Sequence, residues 1–334
     1  MEADNPGTRS NSCYPPVQLG NDGYSANALR HRMRECMNEL PNDILLLDGA
    51  TGSELERRGV DIGLPLWSAN AILHAPDTLR NVHTAYLSAG AGAITTNTFR
   101  THERSLAKAG IGHLAADLTR RAVGIAQAAR DDTNSDALVF GSVAPLEDCY
   151  SPDRAPDTDT CRDEHAQHIE NLVDAGVDLV LIETMCSARE AMAAVGAAQE
   201  LAPGAWSICF CLSPNGALLD GTPIEEITPA LSGAAFIGVN CVSAPSLAEH
   251  VKRLRVTFHN NMRIAAYGNI GYADKDGAWV STDAVDPDRF AEYGMAWIDA
   301  GASVVGGCCG TTPATTLAMS DRLSKDRCNN PTQQ

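Results

Sequence analysis

The chain has 334 residues, of which 44% are hydrophobic, 20% charged and 5% aromatic, a composition that supports a sizeable core and excludes a disordered or fibrous protein. Its 25 lysines and arginines against 42 aspartates and glutamates leave a formal charge of −17, and so acidic a surface repels phosphate backbones and anionic headgroups. Nucleic acid and membrane surfaces are therefore poor partners, and no apolar run approaches the about 18 residues of a bilayer span.

Residues 1–41 are rich in Asn, Ser, Gly and Pro and lack the basic start and apolar core of a secretory signal. They read as a mobile N-terminal extension, with a helical turn or two at Arg30–Glu35. Residues 42–325 alternate short apolar strands with longer helical patterns, and residues 326–334 form a tail. In chain order the pattern predicts a strand at Ile44–Asp48, a helix at Thr78–Ala89, a strand at Ala93–Asn97 and a helix at His102–Arg130. A strand at Leu138–Val143, a helix at Arg162–Ala175, a strand at Leu179–Glu183 and a helix at Ala188–Leu201 follow. The acidic stretch Asp153–Glu164 reads as a solvated loop, a lid over the strand ends. Strands at Trp206–Cys211 and Phe236–Asn240, a helix at Ser246–Thr257, a strand at Arg263–Tyr267, a helix at Asp288–Ala300 and a strand at Ser303–Gly306 complete the unit.

Three helices end in Ala-Gly just before a strand, at Ala89-Gly90, Ala175-Gly176 and Ala300-Gly301, and glycine there suits the left-handed residue that closes a helix. Strands joined by helical crossovers make a parallel sheet buried on both faces. Eight such units predict an α/β fold, a single-domain (β/α)8 TIM barrel. An open doubly wound sheet is the alternative, weakened because no Gly-x-Gly-x-x-Gly follows the first strand.

Reactive residues fall at the C-terminal strand ends, which share one face of a barrel: Asp48, Thr96 to Thr98, Glu183, Cys241 and the pair Cys308-Cys309. Eleven cysteines, an odd number with two adjacent, fit free thiols in a reducing cytoplasm better than a disulfide framework. A buried cysteine is by default a small hydrophobe, the reading for Cys186, Cys209 and Cys211. Cys241 with Cys308 and Cys309 differs, because rim position, adjacency and flanking glycines agree. Three thiolates are the ligand number of a catalytic zinc, which keeps a fourth position open. Asp48 and Glu183 each end an apolar run, where a carboxylate must be paired; they either cap a following helix or bind an ammonium group. The histidines at positions 74, 83, 102, 113, 165, 168 and 250 lie in or beside helices without metal-ligand spacing and read as surface or structural residues.

The segments Leu46-Leu47-Asp48-Gly49-Ala50-Thr51-Gly52, Pro65-Leu66-Trp67-Ser68-Ala69, Thr96-Asn97-Thr98-Phe99, Ile182-Glu183-Thr184, Gly238-Val239-Asn240-Cys241 and Gly306-Gly307-Cys308-Cys309-Gly310-Thr311-Thr312-Pro313 together resemble the homocysteine S-methyltransferase family, from about Leu45 to Leu323. The resemblance implies a zinc-dependent enzyme that moves a methyl group to the sulfur of homocysteine, giving methionine. It implies Cys241, Cys308 and Cys309 as Zn²⁺ ligands. Asp48, the backbone at Gly49, Thr96 and Glu183 would hold the amino-acid end of homocysteine, with no catalytic group beyond the zinc-activated substrate thiolate.

Betaine-using members carry aromatic residues at the positions of Arg100 and Thr184, so the donor expected here is a sulfonium, S-methylmethionine or S-adenosylmethionine, on which Trp67 would stack. Two departures bear on the donor. The stretch Gly268-Asn269-Ile270-Gly271 stands where sulfonium-using relatives often read Asn-Ser-Gly-Glu, and the Thr-Asn-Thr-Phe motif also resembles modules that work with a separate corrinoid or folate protein. The chain ends about 25 residues after Cys309, which leaves no room for such a domain. A methyl-accepting module, a non-enzymatic zinc or thiol sensor, and another acceptor such as selenocysteine are the alternative readings.

Overall fold

A computed structural model describes residues 44–259, 262–274 and 277–329. The extension at 1–41 and its stretch Arg30–Glu35 lie outside these residues, as does most of the tail at 326–334. Eight parallel strands form one sheet: β1 (Leu45–Leu46), β2 (Ala93–Thr95), β3 (Leu138–Val143), β4 (Leu179–Met185), β5 (Trp206–Phe210), β6 (Ile237–Ser243), β7 (Ile264–Asn269) and, after a hairpin of β8 (Gly271–Ala273) and β9 (Trp279–Ser281), β10 (Val304–Gly307). The order β1-β10-β7-β6-β5-β4-β3-β2 leaves β1 and β2 at its two ends. These ends meet. Leu47 bridges Ala93, the Asp48 amide donates to the Ala93 carbonyl at 3.0 Å, and the Gly92 amide donates to the Leu46 carbonyl at 2.8 Å. The sheet is a closed (β/α)8 barrel rather than an open doubly wound one.

All eight expected strands are present, their ends shifted by at most three residues. The three Ala-Gly endings behave as the local chemistry requires: Gly90, Gly176 and Gly301 take φ of +96°, +81° and +111°. At each, the glycine amide and the one after it fold back to helical carbonyls, for example Gly301 to Ile298 at 2.8 Å and Ala302 to Trp297 at 2.9 Å.

Other expectations need correction. The helix expected over His102–Arg130 is broken into α1 (Glu103–Ala107), a 3₁₀ turn at Gly112–Leu114 and α2 (Ala115–Asp132), because Gly110 adopts φ +76°. Only part of the acidic stretch is a loop. From Thr158 it is the start of α3 (Thr158–Asp174), capped by the Asp157 carboxylate, which accepts from the Thr160 amide at 3.0 Å. The hairpin and the last helix, Pro313–Asn329, go beyond the expected elements.

Alternation along the strands sorts the core into shells. Leu45 and Leu47, Phe140, Leu179 and Leu181, Cys209, Phe236, Ala265 and Val304 pack together inside the barrel. Their neighbours Leu46, Val180, Ile182, Ile208, Val239, Ala266 and Val305 face the helices. Close approach constrains some positions strongly. A Cβ on Gly238 would lie 2.3 Å from the Ala265 carbonyl oxygen of β7. Gly238→Ala is therefore expected to destabilise the barrel by about 3 kcal/mol, read as a lower urea midpoint; an unchanged midpoint would refute the contact.

Candidate metal centre and substrate pocket

The alternation that fills the barrel also aims the polar groups above it. Phe140 is followed two positions on by Ser142, Leu181 by Glu183 and Ala265 by Tyr267, so these three side chains form the layer at the C-terminal end. Two strands are then bent. The registers of β4 and β6 shift after Ile182 and Asn240, where Thr184 and Cys241 adopt φ of +60° and +58°. Such left-handed β-branched and cysteine residues cost about 1–3 kcal/mol each and need support from the surroundings. Asn240 supplies it: its Oδ1 accepts from the Thr184 amide at 2.9 Å and its Nδ2 donates to Thr184 Oγ1 at 2.8 Å.

On the other side, the loop after β10 is tied to both neighbours. The Cys308 amide donates to the Gly268 carbonyl at 2.8 Å and the Cys309 amide to Asn269 Oδ1 at 2.9 Å. Thr311 Oγ1 donates to the Cys308 carbonyl at 2.7 Å and accepts from the Ala50 amide at 3.1 Å. Tyr86 adds a bond to the Ala50 carbonyl at 3.0 Å. A Cβ on Gly307 would sit 2.3 Å from Thr311 Oγ1 and one on Gly49 2.7 Å from it, so both must be glycine for this knot to close.

The result is convergence. The sulfurs of Cys241, Cys308 and Cys309 lie within 4.8 Å of one another, the one such group of potential metal ligands among the described residues. Cys241 Sγ and Cys309 Sγ are 3.8 Å apart. Sulfurs about 2.3 Å from a tetrahedral Zn²⁺ are separated by roughly 3.8 Å, so the donor set fits such an ion. Hydrogen bonds from Cys308 and Cys309 hold the Cys241 thiol well below its usual range, while the same contacts push Cys308 up, as expected for three sulfurs sharing negative charge. Tyr150 reaches in from the loop after β3, its Oη 2.9 Å from Cys241 Sγ.

Beside the sulfurs is a cavity of about 280 Å³ lined by every site residue singled out from the sequence: Asp48, Gly49, Trp67, Thr96, Glu183 and the three cysteines. Asp48 accepts from the Thr95 amide at 2.8 Å and from Thr95 Oγ1 at 3.1 Å, yet burial pushes its carboxyl up to about 8. Burial likewise pushes Glu183 up to about 7, against hydrogen bonds from Ser142 Oγ at 2.5 Å and Tyr267 Oη at 3.2 Å. Among the described residues neither carboxylate has a cationic partner, so an ammonium group placed between them would restore their ionised state.

Thr96 is more constrained. Thr98 spends its hydroxyl proton on the Ser142 carbonyl at 2.8 Å, so Thr96 donates to Thr98 at 2.9 Å and accepts from the Ser142 amide at 3.3 Å. Trp67, at φ +47°, lays its ring over Gly52 and meets the Phe99 ring edge-on at 5.3 Å. The histidines at 83, 102, 165, 168 and 250 are buried, and none approaches the sulfurs as a ligand.

A model of the family described as homocysteine S-methyltransferase matches residues 45–323. The chain belongs to the homocysteine S-methyltransferase family. It is 33% identical to the homocysteine S-methyltransferase of Escherichia coli K12, over 84% of this chain and 95% of that one. It is 29% identical to the selenocysteine methyltransferase of Astragalus bisulcatus, over 84% and 92%. The crystal structure of the E. coli homocysteine methyltransferase MmuM in its metallated form superposes with a TM-score of 0.74 at 28% identity, covering 87% of this chain and 99% of that one. As in other proteins built on this barrel, the reactive groups of this methyltransferase-family member sit where the strands end.

Several pocket residues escaped the sequence reading, namely Thr95, Ser142, Tyr150 and Tyr267, while the supporting Asn240 and Thr311 stood there only as members of motifs, without a role. Strand parity marks Ser142 and Tyr267, since each stands two positions beyond an inward apolar residue. Thr311→Val keeps the shape and removes two hydrogen bonds. It is expected to weaken metal retention by the cysteine trio about 10- to 100-fold, as loss of ligand-orienting contacts does; titration against a chelator measures this, and an unchanged midpoint would rule out the knot's role.

Proposed function

We propose that this chain transfers a methyl group from a sulfonium donor, S-methylmethionine or S-adenosylmethionine, to the sulfur of homocysteine, giving methionine, with Zn²⁺ held by Cys241, Cys308 and Cys309. The observation that carries the reading is the meeting of three thiols with two buried carboxylates, without an ion pair among the described residues, in one cavity. A Zn²⁺ held by Cys241, Cys308 and Cys309 would supply Lewis acidity that lowers the pKa of the substrate thiol.

The protein's own residues do the rest. Asp48 and Glu183 bind the α-ammonium of homocysteine, and the backbone at Gly49 receives its carboxylate. Thr96, whose proton is already committed, shapes this end of the pocket rather than donating to it. Trp67 offers its face to the donor cation. The thiol proton of homocysteine leaves to solvent, and the sulfur's electron pair then forms the bond to the methyl carbon. The old carbon–sulfur bond breaks with its pair returning to the donor, which departs as a neutral thioether. A cationic donor suits this because the positive charge of the sulfonium and the negative charge of the thiolate are annihilated together as the bond forms.

Reduced thiols at all three positions favour a cytoplasmic setting. Among the described residues no helix is long and apolar enough to cross a membrane. The test is a panel of the metal-loaded protein with homocysteine and each of S-methylmethionine, S-adenosylmethionine and betaine, scored for methionine. Turnover with a sulfonium donor supports the reading. Silence with every free donor overturns it in favour of a module that needs a partner protein, or a zinc-binding protein without transferase activity. Selenocysteine belongs in the acceptor arm, since a pocket that admits a thiol discriminates weakly against a selenol of the same shape.

A further inference from the structure

Among the described residues one cation lines the cavity, Arg100, immediately after Phe99 in the loop that follows β2. A guanidinium in a pocket that receives a cationic donor is electrostatically unfavourable unless something negative comes with the donor. In the loop after β3, Glu147 turns its carboxylate away, to Lys108 at 2.5 Å and Arg104 at 3.4 Å. To Arg100 it presents only its backbone carbonyl, which accepts from Nη1 at 2.9 Å. Arg104, four residues on, has a second carboxylate as well, Glu164 at 2.6 Å. Among the described residues Arg100 makes no ion pair.

The side chain is nevertheless held in place. The carbonyl of Glu147 fixes one nitrogen, and the guanidinium carbon lies 5.5 Å from the centre of the Phe99 ring, whose other neighbour is Trp67. Trp67, Phe99 and Arg100 thus form one run of wall, aromatic and then cationic, in the cavity that also holds the carboxylates of Asp48 and Glu183. With homocysteine held between the sulfurs and those carboxylates, as proposed above, this wall is offered to the donor.

We infer that Arg100 receives the carboxylate of the methyl donor, and so selects a zwitterionic sulfonium amino acid over sulfonium compounds that lack an acid group. The inference rests on the proposed function and names a specificity residue within it. Guanidinium suits the task, since its planar fork accepts a carboxylate in two parallel hydrogen bonds, which an ammonium does not. The donor's sulfonium then lies against the aromatic part of the wall and its acid on the cationic part.

The experiment compares S-methylmethionine with (3-aminopropyl)dimethylsulfonium, its counterpart without the carboxylate, on the metal-loaded native protein, Arg100→Gln and Arg100→Lys. The native protein is expected to prefer S-methylmethionine by about 10- to 100-fold in kcat/KM, the range of a charge-assisted hydrogen-bonded pair. Arg100→Gln should raise the KM for S-methylmethionine by a similar factor, leave the KM for homocysteine within about twofold, and erase the preference between donors. Arg100→Lys should recover only part of it. Calorimetric titration of S-methylmethionine without homocysteine, where no methyl moves, should show the same loss of affinity.

Equal losses for both donors, or an Arg100→Gln protein with a lowered melting temperature and no change in preference, would overturn the inference and leave Arg100 structural. A raised KM for homocysteine with donor affinity intact would assign Arg100 to the acceptor instead. Methionine formation in the native protein with either donor keeps the proposed function standing whichever way Arg100 falls, so the two readings fail separately.

Discussion

Cys308→Ala is expected to yield a folded barrel that binds less than a tenth of the zinc of the native chain and turns over homocysteine at least about 10³-fold more slowly. The reasoning is geometric. Cys308 and Cys309 approach Cys241 from a loop pinned at Gly268, Asn269 and Ala50, and no other metal-ligating side chain among the described residues stands close enough to replace a lost sulfur. Cys186→Ala is the matched control. Its thiol is buried and pushed up to about 12 by that burial, so it behaves as a small apolar group. This variant should keep its metal and turnover and lose only about 1–2 kcal/mol of stability. Metal content by atomic emission, alongside methionine formation, decides the matter. Full activity in a metal-free Cys308→Ala protein would end the proposed chemistry.

Glu183→Gln is expected to lower kcat/KM for homocysteine by about 10²- to 10³-fold, chiefly through KM, because it removes one charge from a buried ion pair formed with the substrate. The pH dependence gives a second reading of the same group. In the free protein Glu183 is raised to about 7 and Asp48 to about 8, both chiefly by burial, so each is partly protonated near neutrality. A protonated carboxyl does not pair with an ammonium. The native kcat/KM should therefore fall as pH drops through about 8 and 7, and the limb near 7 should disappear in Glu183→Gln. A native profile flat from pH 8 to 6 would show that these carboxylates do not govern binding. Removing Ser142 Oγ, which helps to keep Glu183 ionised, should move that limb upward rather than abolish it.

The barrel was readable from the chain because its signals are local: short apolar runs, helices between them and glycine at the helix ends. The two carboxylates were readable because each ends an apolar run, and the cysteines because strand-end position, adjacency and flanking glycines agree. Residues whose importance comes from contacts across the barrel left weaker traces. Ser142 lies inside Leu-Val-Phe-Gly-Ser-Val, where composition says only that a strand is present. Asn240 reads as the neighbour of a cysteine until it is seen clamping Thr184 on β4. Tyr150 sits on a loop with no periodicity at all. The long helix expected after β2 failed for the opposite reason: Gly110, inside an otherwise helical pattern, takes a left-handed conformation that interrupts the helix.

The three sulfurs come from the sixth and the last barrel strands, 68 positions apart for Cys241 and Cys309, and the loop bearing the latter pair is secured only when β10 has docked between β1 and β7. An ion on the three proposed ligands would therefore need the final strand in place and the ring complete. By mass action it would favour the completed ring over its opened forms, so metal occupancy would double as an inspection stamp for finished assembly.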